Sequence, residues 1–142
     1  MQLAAYVREA QRYAAAGIPP LLETVQQLRA DLCRADGPDL VARAAWCGSR
    51  LVGSVRGRID GTRMEVVRFT VAPDLQGRGI GRALLEAVHA AAPAAVRTCW
   101  LVTGARSADN IRFYGAAGYR VVGRTTDAAG VPLVRMERVH RP

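Results

Sequence analysis

The chain has 142 residues, half of them hydrophobic and 23% charged, with a formal net charge of +8; that suits one domain over 1–142 around a single core, and no apolar stretch reaches the length of a membrane span. All twenty basic residues are arginine, which excludes a P-loop, whose motif needs a lysine, and a pyridoxal enzyme, which needs a Schiff-base lysine. Cys33, Cys47 and Cys99 lie far apart and only His89 and His140 offer imidazoles, so no metal site is expected and the thiols read as buried and reduced.

Residues 1–16 carry Arg8, Glu9 and Arg12 inside an apolar pattern, which predicts an amphipathic helix and not a signal peptide, and hence a cytoplasmic protein. Ile18-Pro19-Pro20 interrupts it. A second helix is expected from Pro20 through LLETVQQLRADL, with Leu21, Leu22, Val25, Leu28 and Leu32 as its apolar face. From Leu40 the period changes to that of strands. LVARAAWC and LVGSVRGRI are joined by Gly48-Ser49-Arg50, and Asp60-Gly61 turns the chain into RMEVVRFTV, so three strands form an antiparallel meander. After a glycine-rich stretch, Ile80, Leu84, Val88 and Ala91 share one helical face, with Arg82, Glu86 and His89 on the other, where His89 is expected to meet solvent. Pro93 ends that helix, and Val96 to Thr103 is a buried strand. Ser107 is placed to cap a helix over ADNIRFYGAA that stops at Gly118. Two last strands, Tyr119 to Arg124 and Val131 to Arg138, flank Asp127–Gly130, and His140 falls in the tail. The order describes a mixed α/β layered domain.

The segment richest in chemistry is VAPDLQGRGIGRALL, from Val71 to Leu85. It places Gly77, Gly79 and Gly81 at the start of a helix, where backbone N–H groups lack partners and the macrodipole is positive. Glycines let that backbone approach a phosphate or pyrophosphate closely. The spacing G-x-G-x-G is not the dinucleotide G-x-G-x-x-G, and a meander precedes it in place of the first strand of a βαβ unit. The arginines are scattered without a run or interleaved aromatics, so no nucleic-acid partner is expected. Their excess has two compatible readings, a GC-rich coding sequence and a surface that attracts anionic ligands.

Gln76, Gly79 and Gly81 fit the pattern (R/Q)-x-x-G-x-(G/A), and downstream comes Asn110-Ile-Arg-Phe-Tyr114-Gly-Ala-Ala-Gly118-Tyr119. Together these resemble the two signatures of the GNAT superfamily of N-acyltransferases, over about residues 40–138. The resemblance implies an α/β (α+β) fold with a mixed, mostly antiparallel sheet flanked by helices and one splayed parallel strand pair. It implies acetyl-CoA as co-substrate, its pyrophosphate on Gly77, Arg78, Gly79, Ile80, Gly81 and Arg82 after Gln76, and its pantetheine along Phe69, Thr70 and Val71, with Asn110 and Tyr114 as further contacts. Tyr114 sits one turn from Asn110 and is the residue the family uses as proton donor to the departing thiolate; the alternative is an aromatic packing residue with its hydroxyl at the surface. Glu65, in the strand before the loop, is the candidate general base, against the alternative of a surface carboxylate paired with an arginine. It shares strand parity with Val67 and Phe69 and so faces the cleft unless a bulge intervenes.

The implied activity is transfer of an acetyl group to a primary amine of a small molecule or peptide by direct attack, since no Ser/His/Asp set or Cys/His pair is visible. The alternative is a non-catalytic acyl-CoA-binding sensor of the same fold. Members of the family usually begin with a strand that is absent ahead of the first helix here, and a homodimer is one way to cover the sheet edge this leaves.

Overall fold

Glycine at two tight turns sets the first half of the sheet. In the computed structural model, which describes residues 1–141, β1 (Leu40–Cys47), β2 (Arg50–Asp60) and β3 (Arg63–Val71) form the meander. Gly48 (φ 58°) and Gly61 (φ 57°) take up the left-handed conformation that such turns require. Helix α4 (Ile80–Ala90) then crosses one face to β4 (Thr98–Gly104), which runs parallel to β3. Helix α5 (Ala108–Ala116) leads to β5 (Arg120–Thr126) and β6 (Pro132–Val139), and β6 inserts beside β4. The six-stranded order is β1-β2-β3-β4-β6-β5, mostly antiparallel with one parallel pair, as expected.

That parallel pair is short. Its register holds only Arg63↔Thr98, Met64↔Cys99 and Glu65↔Trp100, after which β3 continues to Val71 without β4. A bulge bends β3 at this point: Ser54↔Thr70 and Arg56↔Val67 leave Arg68 and Phe69 together opposite Val55, with Arg68 at φ 52°. The strands therefore part beyond Glu65 and leave a wedge-shaped gap.

Helices α4 and α5 cover one face, where Met64, Val66, Leu84, Val88, Cys99 and Leu101 form the main core. The other face carries α1 (Gln2–Arg12), α2 (Pro19–Leu22) and α3 (Val25–Cys33). A smaller cluster of Ala10, Tyr13, Ile18 and Val131 anchors α1. Four expectations are corrected here. The first helix stops at Arg12, because Ala14 turns to φ 48° and lets Tyr13 and Ile18 bury. The expected second helix is two: Glu23 is extended, and a capping box between Thr24 and Gln27 starts α3 anew. Its apolar face is largely unburied, with Leu22, Val25 and Leu32 exposed. Of the three cysteines only Cys99 is buried; Cys33 and Cys47 are exposed.

What fastens these helices is charge. Arg56 and Glu23, 4% and 7% exposed, meet at 2.5 Å, and Arg56 also reaches Asp31 at 2.7 Å. Arg68, at the bulge, binds the other Glu23 oxygen at 3.1 Å. Burial raises the Glu23 carboxyl, but bonds from Arg56, Gln2 and Arg68 outweigh it and hold the pKa down at about 2. Glu23 thus ties the α2–α3 junction to the strands that open the gap.

Candidate active site

The loop before α4 presents backbone without side-chain competition. Gly77 (φ 78°) and Gly79 (φ 82°) are left-handed, and a Cβ on either would meet nothing within 4 Å. Gly79 is the N-cap of α4, no side chain caps the helix, and no acid lies in its first turn. The first intrahelical bond at this end runs from Ala83 N–H to the Gly79 carbonyl, so the Ile80, Gly81 and Arg82 amides precede it and point outward. Asp74 receives both Arg50 nitrogens at 2.8 Å, which braces the loop entry. Arg78 and Arg82 are exposed beside it, and Arg82 is only loosely paired with Glu86 at 4.0 Å. Gln76 is exposed and accepts a long bond from Arg8 at 3.4 Å. An anionic diphosphate fits this concave set of amides and guanidiniums.

From the loop, a cleft of about 1090 Å³ runs into the gap between β3 and β4. Gly81 lets α4 approach the aromatic wall, since a Cβ there would stand 3.4 Å from Phe113 and 3.5 Å from Phe69. Thr70 is paired with Ser54, and Ala72 N–H bonds the Val52 carbonyl. By the alternation of an antiparallel ladder, Phe69 and Val71 turn their backbone groups to the gap and Thr70 turns away. The Phe69 carbonyl already accepts a bond from the Tyr6 hydroxyl at 3.3 Å, so Val71 keeps the freer edge.

Tyr114 lies across the cleft, 8% exposed, its ring 6.0 Å from Phe69, 5.2 Å from Phe113 and 5.9 Å from Tyr119. Burial, with smaller contributions from Tyr6 and Glu9, pushes its phenol far above the ordinary range. Among the described residues its hydroxyl takes no side-chain partner. Asn110, one turn earlier, is exposed and gives a long bond to Thr103 at 3.4 Å.

Glu65 is half-buried at the vertex where the strands part, and burial raises its pKa against the pull of Arg58, Arg135 and Arg68. It makes no ion pair among the described residues. The bulge at Arg68 breaks the parity count: Glu65 and Val67 stand on the α1 face, whereas Phe69 packs toward α4 and α5. Glu65 still lines the cleft together with Tyr114, from the opposite side of the sheet.

The residues by which α1 walls the cleft carry no motif in the sequence and emerge only in the structure. Tyr6, Glu9 and Tyr13 fall on one helical face, with Tyr6 on the strand and Glu9 and Tyr13 on Ser107. Ser107 therefore leaves its capping role and bonds α1. His89 is also corrected: it is buried at 7%, and its Nε2 lies 2.7 Å from the Tyr119 hydroxyl. Arg138 donates to Nδ1 at 2.5 Å, which places the ring proton on Nε2. Burial, then the Arg138 and His140 charges, depress its pKa to about 4. His140 is buried as well and lies against His89, ring centroids 6.3 Å apart.

Residues 10–139 match the family model described as an acetyltransferase (GNAT) domain. Among solved structures, the fold is shared with the PaiA N-acetyltransferase from Thermoplasma acidophilum in complex with coenzyme A (20% identity, 97% of this chain and 89% of that one, TM-score 0.73). It is shared too with the ribosomal-protein-S18-alanine N-acetyltransferase from Escherichia coli (19%, 99% and 88%, TM-score 0.73). A third likeness is a GNAT family acetyltransferase from Elizabethkingia anophelis with acetyl-CoA bound (16%, 82% and 83%, TM-score 0.64). At such identities the likeness is one of fold. No curated protein sequence matches the chain, no helix among the described residues is long and apolar enough to cross a membrane, and they hold no cluster of metal-binding side chains.

Proposed function

Because the chain belongs to the acetyltransferase (GNAT) domain family, we propose that it moves an acetyl group from acetyl-CoA to a primary amine. One observation carries the reading: the uncapped start of α4, with Gly79 left-handed and exposed arginines beside it, opens directly into the gap between β3 and β4. A diphosphate at the loop would thread its pantetheine arm along Val71 toward Tyr114. The neighbours described with coenzyme A and acetyl-CoA support the same donor.

In this reaction Glu65 takes a proton from the incoming ammonium, and the free amine attacks the thioester carbon. The C–N bond forms, the C–S bond breaks, and the sulfur leaves with the Tyr114 hydroxyl proton. The nitrogen's second proton passes back to Tyr114, so that one ammonium proton ends on Glu65 and the other is made good on the thiol. The products are the acetylated amine and free CoA. Positioning in the gap and backbone donors of the opened strand supply the rest.

A second reading follows from Tyr114, whose hydroxyl no side chain among the described residues orients toward a leaving sulfur. On that reading the domain binds acyl-CoA as a sensor without turnover. The test is a CoA titration followed by thioester cleavage against a panel of amines. Tight binding with cleavage supports the enzyme, tight binding with no cleavage on any amine supports the sensor, and absence of CoA binding rejects both. A homodimer across the β1 edge belongs to the same proposal, and sedimentation decides it. A cytoplasmic setting fits a donor of this kind.

A further inference from the structure

A row of polar side chains crosses the sheet at the vertex of the gap. Arg58 on β2, Glu65 on β3, Trp100 on β4 and Glu137 on β6 are successive register partners, so they stand side by side on the face that carries α1 and α3. Arg135 is two residues along β6 on the same face, with its guanidinium 4.2 Å over the Trp100 ring. Arg63 shares that face two residues before Glu65. Arg58, Arg63, Glu65, Trp100 and Arg135, with Ile59 and Asp60 from the end of β2, line a half-open cavity of about 260 Å³. Arg58 and Glu65 line both this cavity and the larger cleft, so the two are joined at the last strand pair before the gap opens.

The polar groups in the cavity are unequally satisfied. Arg63 and Arg135 share Glu137, at 2.5 and 3.1 Å, and Arg58 reaches Asp31 at 3.4 Å. Each guanidinium has five donors and spends only some of them on these acids. All three remain open to solvent, with side chains 46%, 42% and 39% exposed for Arg58, Arg63 and Arg135. Glu65, by contrast, holds a carboxylate that nothing pairs among the described residues. Asp60, at the exposed end of β2, also lines the cavity without an ion pair among the described residues. The cavity therefore carries a free acid at each end, Glu65 at its join with the cleft and Asp60 at the outer rim, with a fork of guanidiniums on a flat indole floor between them.

We infer that this cavity is the acceptor subsite, and that it takes a small amino carboxylate of free amino-acid size, its amine toward Glu65 and its carboxylate on Arg58 and Arg135. A polyamine's second cation would meet the three guanidiniums before it could reach Asp60 at the rim, and a neutral-tailed amine would leave their donors unmatched. The volume suits a group of single-residue size. Planar Arg135, oriented by Trp100, suits the bidentate geometry of a carboxylate. What the amine meets once bound rests on the acetyl-transfer reading; the binding itself does not.

Titration calorimetry on the CoA-saturated protein tests it, with the twenty common L-amino acids and, for those that bind, the matched decarboxylated amines such as phenethylamine, tyramine and agmatine. At least one amino acid should bind at least about tenfold more tightly than its decarboxylated partner. Arg135→Gln and Arg58→Gln should each cost that amino acid about tenfold in affinity, Arg135→Gln should leave CoA affinity unchanged, and Arg135→Lys should recover only part. Equal binding of the decarboxylated amines, no binding of any amino acid, or indifference to both arginine variants overturns the inference. Should CoA itself fail to bind, the acetyl-transfer reading falls, while the same titration on the free protein still decides this one.

Discussion

Tyr114 and Glu65 face the same gap with opposite proton demands, and burial serves both. The Tyr114 phenol is pushed so far up that it stays protonated at every working pH, which suits a group that must offer O–H to a developing thiolate. Tyr114→Phe keeps the ring packing and removes only that donor. It should lower turnover on the order of 10²-fold with CoA affinity unchanged, measured by steady-state cleavage and CoA titration; unchanged turnover would leave Tyr114 a packing residue. Burial also raises Glu65, and a base works only when deprotonated. Activity should therefore fall as pH drops through a value above the ordinary glutamate pKa of about 4.3, and Glu65→Gln should remove that acid limb along with most of the rate. A limb that persists in the variant assigns it to another group. That both residues line the cleft was legible in the sequence, but unequally. Tyr114 is fixed by a spacing inside one helix, whereas the side of the sheet that Glu65 occupies depends on a bulge that no periodicity announces. His89 was misplaced for a related reason: a helical wheel sees its own helix, and Tyr119 and Arg138 arrive from elsewhere in the chain.

Among the elements, the α4 start and the α5 interior separate two kinds of glycine. Gly79 is left-handed at an N-cap with open space around it, so a Cβ there strains only the backbone. Gly79→Ala should cost roughly 1–2 kcal/mol and weaken CoA binding through the displaced amides. Gly115 sits inside α5, equally free of neighbours but in helical conformation, and Gly115→Ala should stabilise by about 0.5–1 kcal/mol. Denaturant titrations of the two variants should move in opposite directions, and a shared sign would refute the backbone account. Strand order and the glycine loop were readable because turns, alternation and a helix start are local. The break at Glu23–Thr24 was not, since Glu23 leaves the helix for Arg56 and Arg68, partners supplied by tertiary structure alone.

For the molecule as a whole, acid is the direction of weakness, and two buried groups set the range. His89 is neutral when folded, with its pKa lowered from 6.5 to about 4. Between those values the unfolded chain binds a proton that the folded one refuses, so stability is full above 6.5 and falls as pH decreases toward 4. The loss is on the order of 3 kcal/mol. Lowered His140 acts in the same sense. Glu23 follows below: held at about 2 against an ordinary glutamate, it keeps its contribution above about pH 4.3 and loses a similar amount as pH falls to 2. A chain that already carries +8 gains further positive charge over the same range, and self-repulsion adds to the slope. The unfolding free energy should thus decline continuously from pH 6.5 to 2, in two adjoining steps. His89→Gln should flatten the upper step and leave the lower one. Glu23→Gln should start from a stability several kcal/mol lower, since it weakens the partner of two largely buried guanidiniums, and should lose the lower step. Denaturant titrations at half-unit pH intervals resolve both, and an upper step undiminished in His89→Gln would remove His89 as its main source, the remainder belonging to His140.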